Sequence, residues 1–204
     1  MIYKLPQNID RFYISDTEWI AIQTRDLPLN FVYSCYDLDI VFHTANNQFI
    51  FGASDAGSFC STIQYTIPKL LNSQLILPSR LQNNLGISNN NYCMALTEDY
   101  TCLDYHFFGN SHIQQKPYFD SFLYNDEQGN IIFEITPQYP WNDKNEEDIN
   151  HPDFISYSQF LKNYHPTIIR TIDPKYLHQW IEQTHILEPL FEKNEIEDLH
   201  QSEH

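Results

Sequence analysis

Two β-rich runs, Phe119-Asp-Ser-Phe-Leu-Tyr124 and Ile131-Ile-Phe-Glu-Ile-Thr136, stand either side of the segment Asn125-Asp-Glu-Gln-Gly-Asn130. β-Branched and aromatic side chains suit a pleated, half-buried surface, whereas Asn, Asp and Gly concentrate where a chain reverses. The spacing therefore predicts an antiparallel hairpin, and a chain built around one must bury at least one sheet face. The same vocabulary recurs upstream in short runs punctuated by Asn, Gly and Pro. Trp19-Ile-Ala-Ile-Gln23 and Leu38-Asp-Ile-Val-Phe42 alternate, and Phe49-Ile-Phe51 follows the Asn46-Asn47 turn. Phe59 to Ile67, opened by Asp55-Ala-Gly57, Tyr92 to Leu96 and Leu103 to Phe108 continue the predicted strands.

The pattern then changes period. Leucines at 70, 71, 75, 77, 81 and 85 fit a helical stripe that Pro78 interrupts, which predicts one or two short helices between Pro68 and Leu85. After Pro137 and Pro140, Phe154, Tyr157, Leu161 and Tyr164 recur every three to four residues behind a capping Asp153. A final helix begins with Asp173 as cap and Pro174 in its first turn. Leu177, Trp180, Ile181, Thr184, Leu187 and Phe191 line its apolar face until Pro189 disturbs it. The expected fold class is α+β, mainly antiparallel sheet with helices concentrated toward the C-terminus. A single domain spans 1–204, strand-rich over 1–136 and helical and acidic over 137–204. No sequence repeat of fixed period is visible, which sets solenoids and propellers aside.

Charge narrows the function classes. Among 204 residues, 27 Asp and Glu oppose 11 Lys and Arg, a formal net charge of −16. Nucleic-acid binding depends on neutralising phosphates with Lys and Arg, so a nucleic-acid partner is excluded. The longest apolar runs, such as Ile40-Val-Phe42 and Leu75-Ile-Leu77, are far shorter than the ~20 residues of a spanning helix, and no membrane partner is expected. The start, Met1 to Asp10, lacks the basic flank and apolar stretch of a secretory signal, so a cytoplasmic location is expected. Cysteines at 35, 60, 93 and 102 form no CxxC pair and read as buried thiols of a reducing compartment.

The imbalance is uneven. Residues 1–119 carry 10 acids and 6 bases, and residues 120–204 carry 17 acids and 5 bases. Two clusters stand out, Asp143, Glu146, Glu147, Asp148 and Asp153 around Lys144, and Glu192, Glu195, Glu197, Asp198 and Glu203 around Lys193. An acidic surface attracts basic partners, speeds their association and repels wrong ones. The same charge also fits a scaffold or regulatory domain that binds a basic peptide.

Catalytic signatures are sparse. None of the five glycines forms a phosphate-cradling loop, and His178 and His185 share a helical face without a third ligand, so neither a cofactor nor a metal is expected. The one local group with chemistry is Cys102-Leu-Asp104-Tyr-His106, with His112 nearby. On a strand these three side chains would share a face, which leaves a small cytosolic hydrolase using a Cys/His pair as an alternative.

The C-terminal part has its own order: Phe133-Glu-Ile-Thr-Pro-Gln-Tyr-Pro-Trp141, an acidic insert, Phe160-Leu-Lys-Asn-Tyr-His-Pro166, Ile168-Ile-Arg-Thr-Ile172, then the helix opened by Asp173-Pro174. This resembles the strand, aromatic-proline loop, helix and terminal helix of small bacterial immunity proteins from contact-dependent inhibition and related polymorphic toxin systems. The resemblance covers about 70 residues and implies a non-enzymatic inhibitor of the C-terminal toxin domain of a cognate effector. Such toxins are often nucleases with basic surfaces, which carboxylates can occupy where phosphates would sit. The expected contact surface is the acidic stretch Asp143, Glu146, Glu147, Asp148 and Asp153 with the flanking Tyr139 and Trp141, the tail acids after Phe191 coming second.

Overall fold

The computed structural model describes residues 10–24, 37–109 and 117–201, with side chains described for all of these except 24, 37 and 192–201. Among these residues eight strands form two four-stranded antiparallel sheets, each with its strands in chain order. Sheet A contains β1 (Arg11–Tyr13), β2 (Trp19–Thr24), β3 (Asp37–His43) and β4 (Gln48–Asp55). Sheet B contains β5 (His106–Gly109), β6 (Phe119–Asn125), β7 (Ile131–Pro137) and β8 (Ile168–Ile172). A helix follows each sheet directly, α1 (Ala56–Leu71) after β4 and α5 (Pro174–Gln201) after β8, and the two helices pack on each other. The chain thus makes the same ββββα unit twice. Between the units run α2 (Leu85–Cys93) and two 3-10 turns, and between β7 and β8 run α3 (Glu146–Ile149) and α4 (Tyr157–Lys162). The fold is α+β, as expected.

One core joins the units. Phe133 of β7 lies 6.1 Å from Phe42 and 5.7 Å from Phe51, ring centre to ring centre, so the inner faces of the two sheets meet through aromatic rings. Trp180 of α5 is fully buried between Phe12 and Phe107, and its indole N–H donates to the Tyr13 carbonyl at 2.8 Å. Gln183 Nε2 donates likewise to the Arg11 carbonyl at 2.8 Å, so α5 satisfies the outer edge of β1. Where β4 meets β5 the backbones come close. A Cβ on Gly52 would stand 2.9 Å from Cβ of Phe108.

The central strands of sheet B, β6 and β7, are covered on both faces. Toward the core stand Leu123, Ile131, Phe133 and Ile135. On the opposite face Phe122, Tyr124 and Ile132 pack under Leu77, Leu81, Leu85, Cys102 and Tyr105. Asn125 anchors that cover. Its backbone pairs with Leu75 and Leu77, and its side chain donates to the Leu70 carbonyl at 3.0 Å.

The predicted hairpin is present, with Asp126 and Gly129 at the turn and Gly129 at φ +83°. The final helix begins as expected, the Asp173 carboxylate accepting from the Lys175 N–H at 2.9 Å. It runs past Pro189, because Leu187 and Phe191 on either side are held in the core. Three predicted strands are corrected. Phe59 to Ile67 lies in α1, where the buried Phe59, Cys60, Ile63 and Ile67 follow helical spacing and Asp55 caps by accepting from Ser58 N–H at 2.8 Å. Tyr92 to Leu96 is the end of α2 and the turn after it, and Leu103 to Tyr105 is a 3-10 turn that becomes strand only at His106. Between Pro68 and Leu85 the short-helix expectation is met by the end of α1 and a 3-10 turn, Ser79–Leu81. The cap of α4 is Ser156, not Asp153.

Candidate partner-binding surface

The acidic stretch belongs to a 30-residue excursion, 138–167, that leaves sheet B after β7 and returns at β8. Its base is aromatic. Tyr139, Trp141, Tyr157 and Phe160 form a buried cluster against which Met94, Phe154, Leu161 and Tyr164 pack. Tyr139 lies 5.1 Å from Tyr157 and 5.4 Å from Phe160, and Trp141 lies 4.8 Å from His151. Asn90 of α2, itself buried, pins this base to the sheet. It accepts from the Tyr139 N–H at 2.6 Å and donates to the Gly86 and Pro137 carbonyls. Tyr157 adds a bond from its hydroxyl to Asn91 at 2.7 Å. Gly86 is required for the fit, since a Cβ there would stand 1.9 Å from the Tyr164 hydroxyl and 2.6 Å from Oγ1 of Thr136.

Each expected contact residue has a definite place on this base. Tyr139 and Trp141 are only 6% and 7% exposed, so they are the floor beneath the acids and not part of the outer surface. Asp143 is tied down, accepting from the Tyr139 hydroxyl and, at 3.4 Å, from the Tyr157 N–H. Burial, and then this carboxylate, push the Tyr139 phenol well above the ordinary tyrosine range. Asp148 holds the loop by accepting from the Asn142 N–H at 2.8 Å. Glu146 and Glu147 open α3 behind the Asn145 cap, exposed, and their carboxylates find no partner among the described residues. Asp153 is exposed beside His151, at 3.9 Å. Ile149 and Ile155 also reach solvent here. The excursion therefore divides its acids into two that fasten it and three that face outward. The tail acids Glu192, Glu195, Glu197, Asp198 and Glu203 fall outside the residues whose side chains are described.

The Cys/His alternative is not assembled as a strand pair. Cys102 sits in a 3-10 turn, buried, with its thiol 3.9 Å from Oδ1 of Asn89, and burial pushes its pKa up, away from the reactive thiolate. His106 turns instead to Asp120, Nε2 to Oδ1 at 3.2 Å, while Asp120 accepts from Asn89 through its other oxygen at 2.8 Å. Cys35 and His112 lie outside the described residues. No group of three His, Cys, Asp or Glu side chains that could hold a metal stands together among the described residues. No helix among the described residues is long and apolar enough to cross a membrane.

Sequence reasoning missed two features. Glu134 is 5% exposed within sheet B, accepting from the Tyr124 hydroxyl at 2.9 Å, and its polar type inside the hairpin was the available signal. Tyr92, Leu96, Tyr100 and Leu103 are exposed around the end of α2, where the runs Tyr92 to Leu96 and Leu103 to Phe108 read as strands. No family model, curated protein or solved structure matches this chain.

Proposed function

We propose that this protein is a non-enzymatic inhibitor, an immunity protein that binds and neutralises a cognate basic toxin domain, with the acidic excursion as part of its contact surface. The observation that carries the reading is the outward row of Glu146, Glu147 and Asp153 on a rigid aromatic floor, in a chain of net charge −16. Carboxylates fixed on a packed base lose less freedom on binding than those of a loose tail, and their field steers a basic partner toward them. The resemblance of the segment from Phe133 onward to immunity proteins of polymorphic toxin systems points to a toxin domain as that partner, a nuclease being the class with the most basic surface. The proposed setting is the cytoplasm.

The test is titration of the purified chain against the C-terminal domain of the large protein encoded immediately upstream, at low and at physiological salt, together with an assay of that domain's toxicity. Tight, salt-sensitive binding with loss of toxicity is expected. Charge reversal at the outward-facing Glu146, Glu147 and Asp153 should slow association by about tenfold or more and flatten the salt dependence, as for other steered complexes. Absence of binding, or binding without protection, contradicts the reading.

A further inference from the structure

The excursion has an apolar neighbour. Four large side chains cluster along twelve residues at the end of α2: Tyr92 and Leu96, which are four apart, and Tyr100 and Leu103, which lie three apart at the start of the 3-10 turn Thr101–Tyr105. Leu96 is 61% exposed and Tyr100 69%, and Tyr92 and Leu103 are exposed as well. Apolar groups exposed singly are ordinary, but four on one short connection mark a surface that something covers.

The connection is held in shape. Ala95 takes φ +53°, which turns the chain sharply out of α2 and presents Leu96. Leu96 N–H donates back to the Asn91 carbonyl at 2.8 Å, and Leu103 N–H to Tyr100 at 2.9 Å. Arg80 pairs with Asp99 and donates to Oγ1 of Thr101 at 2.9 Å, while Asp99 accepts from the Thr101 N–H at 3.0 Å. The four side chains thus stand on a braced loop, and a braced apolar anchor binds with little ordering cost.

Charge decides what fits there. No Lys or Arg occurs between Arg80 and Lys116, and Arg80 is already occupied by Asp99, whereas Glu98 and Asp104 flank the apolar group. The patch is also continuous with the excursion. Met94 packs on the aromatic floor, Asn91 accepts from Tyr157, and Gln138 reaches Cys93 at 3.8 Å. An apolar centre rimmed by carboxylates complements an apolar surface rimmed by Lys or Arg, the usual anatomy of a tight interface.

We propose that Tyr92, Leu96, Tyr100 and Leu103 are the apolar anchor of the interface with the basic toxin domain, and that the excursion is its acidic rim. The assignment rests on the function proposed above. The division of labour is specific: the rim sets how fast the complex forms, and the anchor sets how long it lasts.

The experiment compares the wild type, Leu96→Ser with Tyr100→Ser, and the triple charge reversal of the excursion, each against the purified upstream C-terminal domain by surface plasmon resonance at two salt concentrations. Both replaced side chains are solvent-exposed, so circular dichroism and melting should be unchanged. The double variant is expected to dissociate at least about tenfold faster with an unaltered salt slope, as for loss of central anchors. Wild-type binding with an unaffected double variant overturns the anchor and leaves the inhibitor reading standing. Absence of wild-type binding removes both. A concentration-dependent dimer of the chain alone that the double variant abolishes assigns the patch to a second copy, and overturns the proposal equally.

Discussion

The two ββββα units, 10–71 and 106–201, share strand order, antiparallel register and a capping Asp ahead of the helix, Asp55 in one and Asp173 in the other. They differ in what lies outside the sheet. Sheet B carries a second layer built from the inter-unit segment and the excursion, and its central strands β6 and β7 are buried on both faces. Among the described residues the corresponding face of sheet A carries a smaller buried apolar group, the cross-strand neighbours Ala21 and Val41. There the cross-strand neighbours Trp19 and His43 stack at 5.0 Å, with Arg11 over the Trp19 ring. The difference separates two tasks. The shared core makes the fold, and the added layer holds the acidic and apolar groups that a partner can read.

If the shared core is one cooperative unit, damage to its centre must unfold both halves together. Trp180→Ala removes the ring between Phe12 and Phe107 and the bond to Tyr13, and should cost about 3–5 kcal/mol, with fluorescence and far-UV dichroism melting coincidently. Two separated transitions would show that the units are independent. The second layer should instead respond locally. In Gly86→Ala the new methyl collides with Tyr164, and the expected cost is about 1–3 kcal/mol, seen as faster hydrogen exchange over 138–164 while α1 and sheet A keep their protection.

The smallest effect concerns Glu134, between the two layers. Burial raises its pKa, the Tyr124 hydroxyl only partly opposing this. The native state then binds this proton more tightly than the unfolded chain, so stability falls as pH rises through the interval above the ordinary glutamate value. Glu134→Gln should raise the melting temperature near neutral pH, and the difference should vanish at about pH 4, where the unfolded carboxyl is itself protonated. A variant less stable than the wild type at both pH values would mean that the carboxylate is needed for its bond to Tyr124.

How far the fold was legible follows the same division. The hairpin of β6 and β7 and the opening of α5 depend on local signals, a polar turn and an Asp-Pro cap, and could be read directly. In α1 the residues Ile63, Thr66 and Ile67 suggested strand, although the buried positions Phe59, Cys60, Ile63, Ile67 and Leu70 have helical spacing and Asp55 with Ser58 forms a cap. Helix α2 had no such signal. Its buried face includes Asn89 and Asn90, which become satisfied only by Asp120, Pro137 and Tyr139, distant in sequence. Long-range pairing of this kind is invisible to local pattern. At the surface, charge made the acids of the excursion visible, but sequence adjacency alone joined the flanking Tyr139 and Trp141 to the contact surface, and only packing shows them to be its floor. The doubling of the ββββα unit left no periodic trace in the residues.

The measurement that tests the central claim most directly is hydrogen exchange by mass spectrometry on the chain alone and saturated with the upstream C-terminal toxin domain. New protection concentrated in 91–104 and 139–160, with sheet A and α1 unchanged, is the predicted result. Protection on sheet A or α1, with the layer over sheet B unaltered, would contradict it.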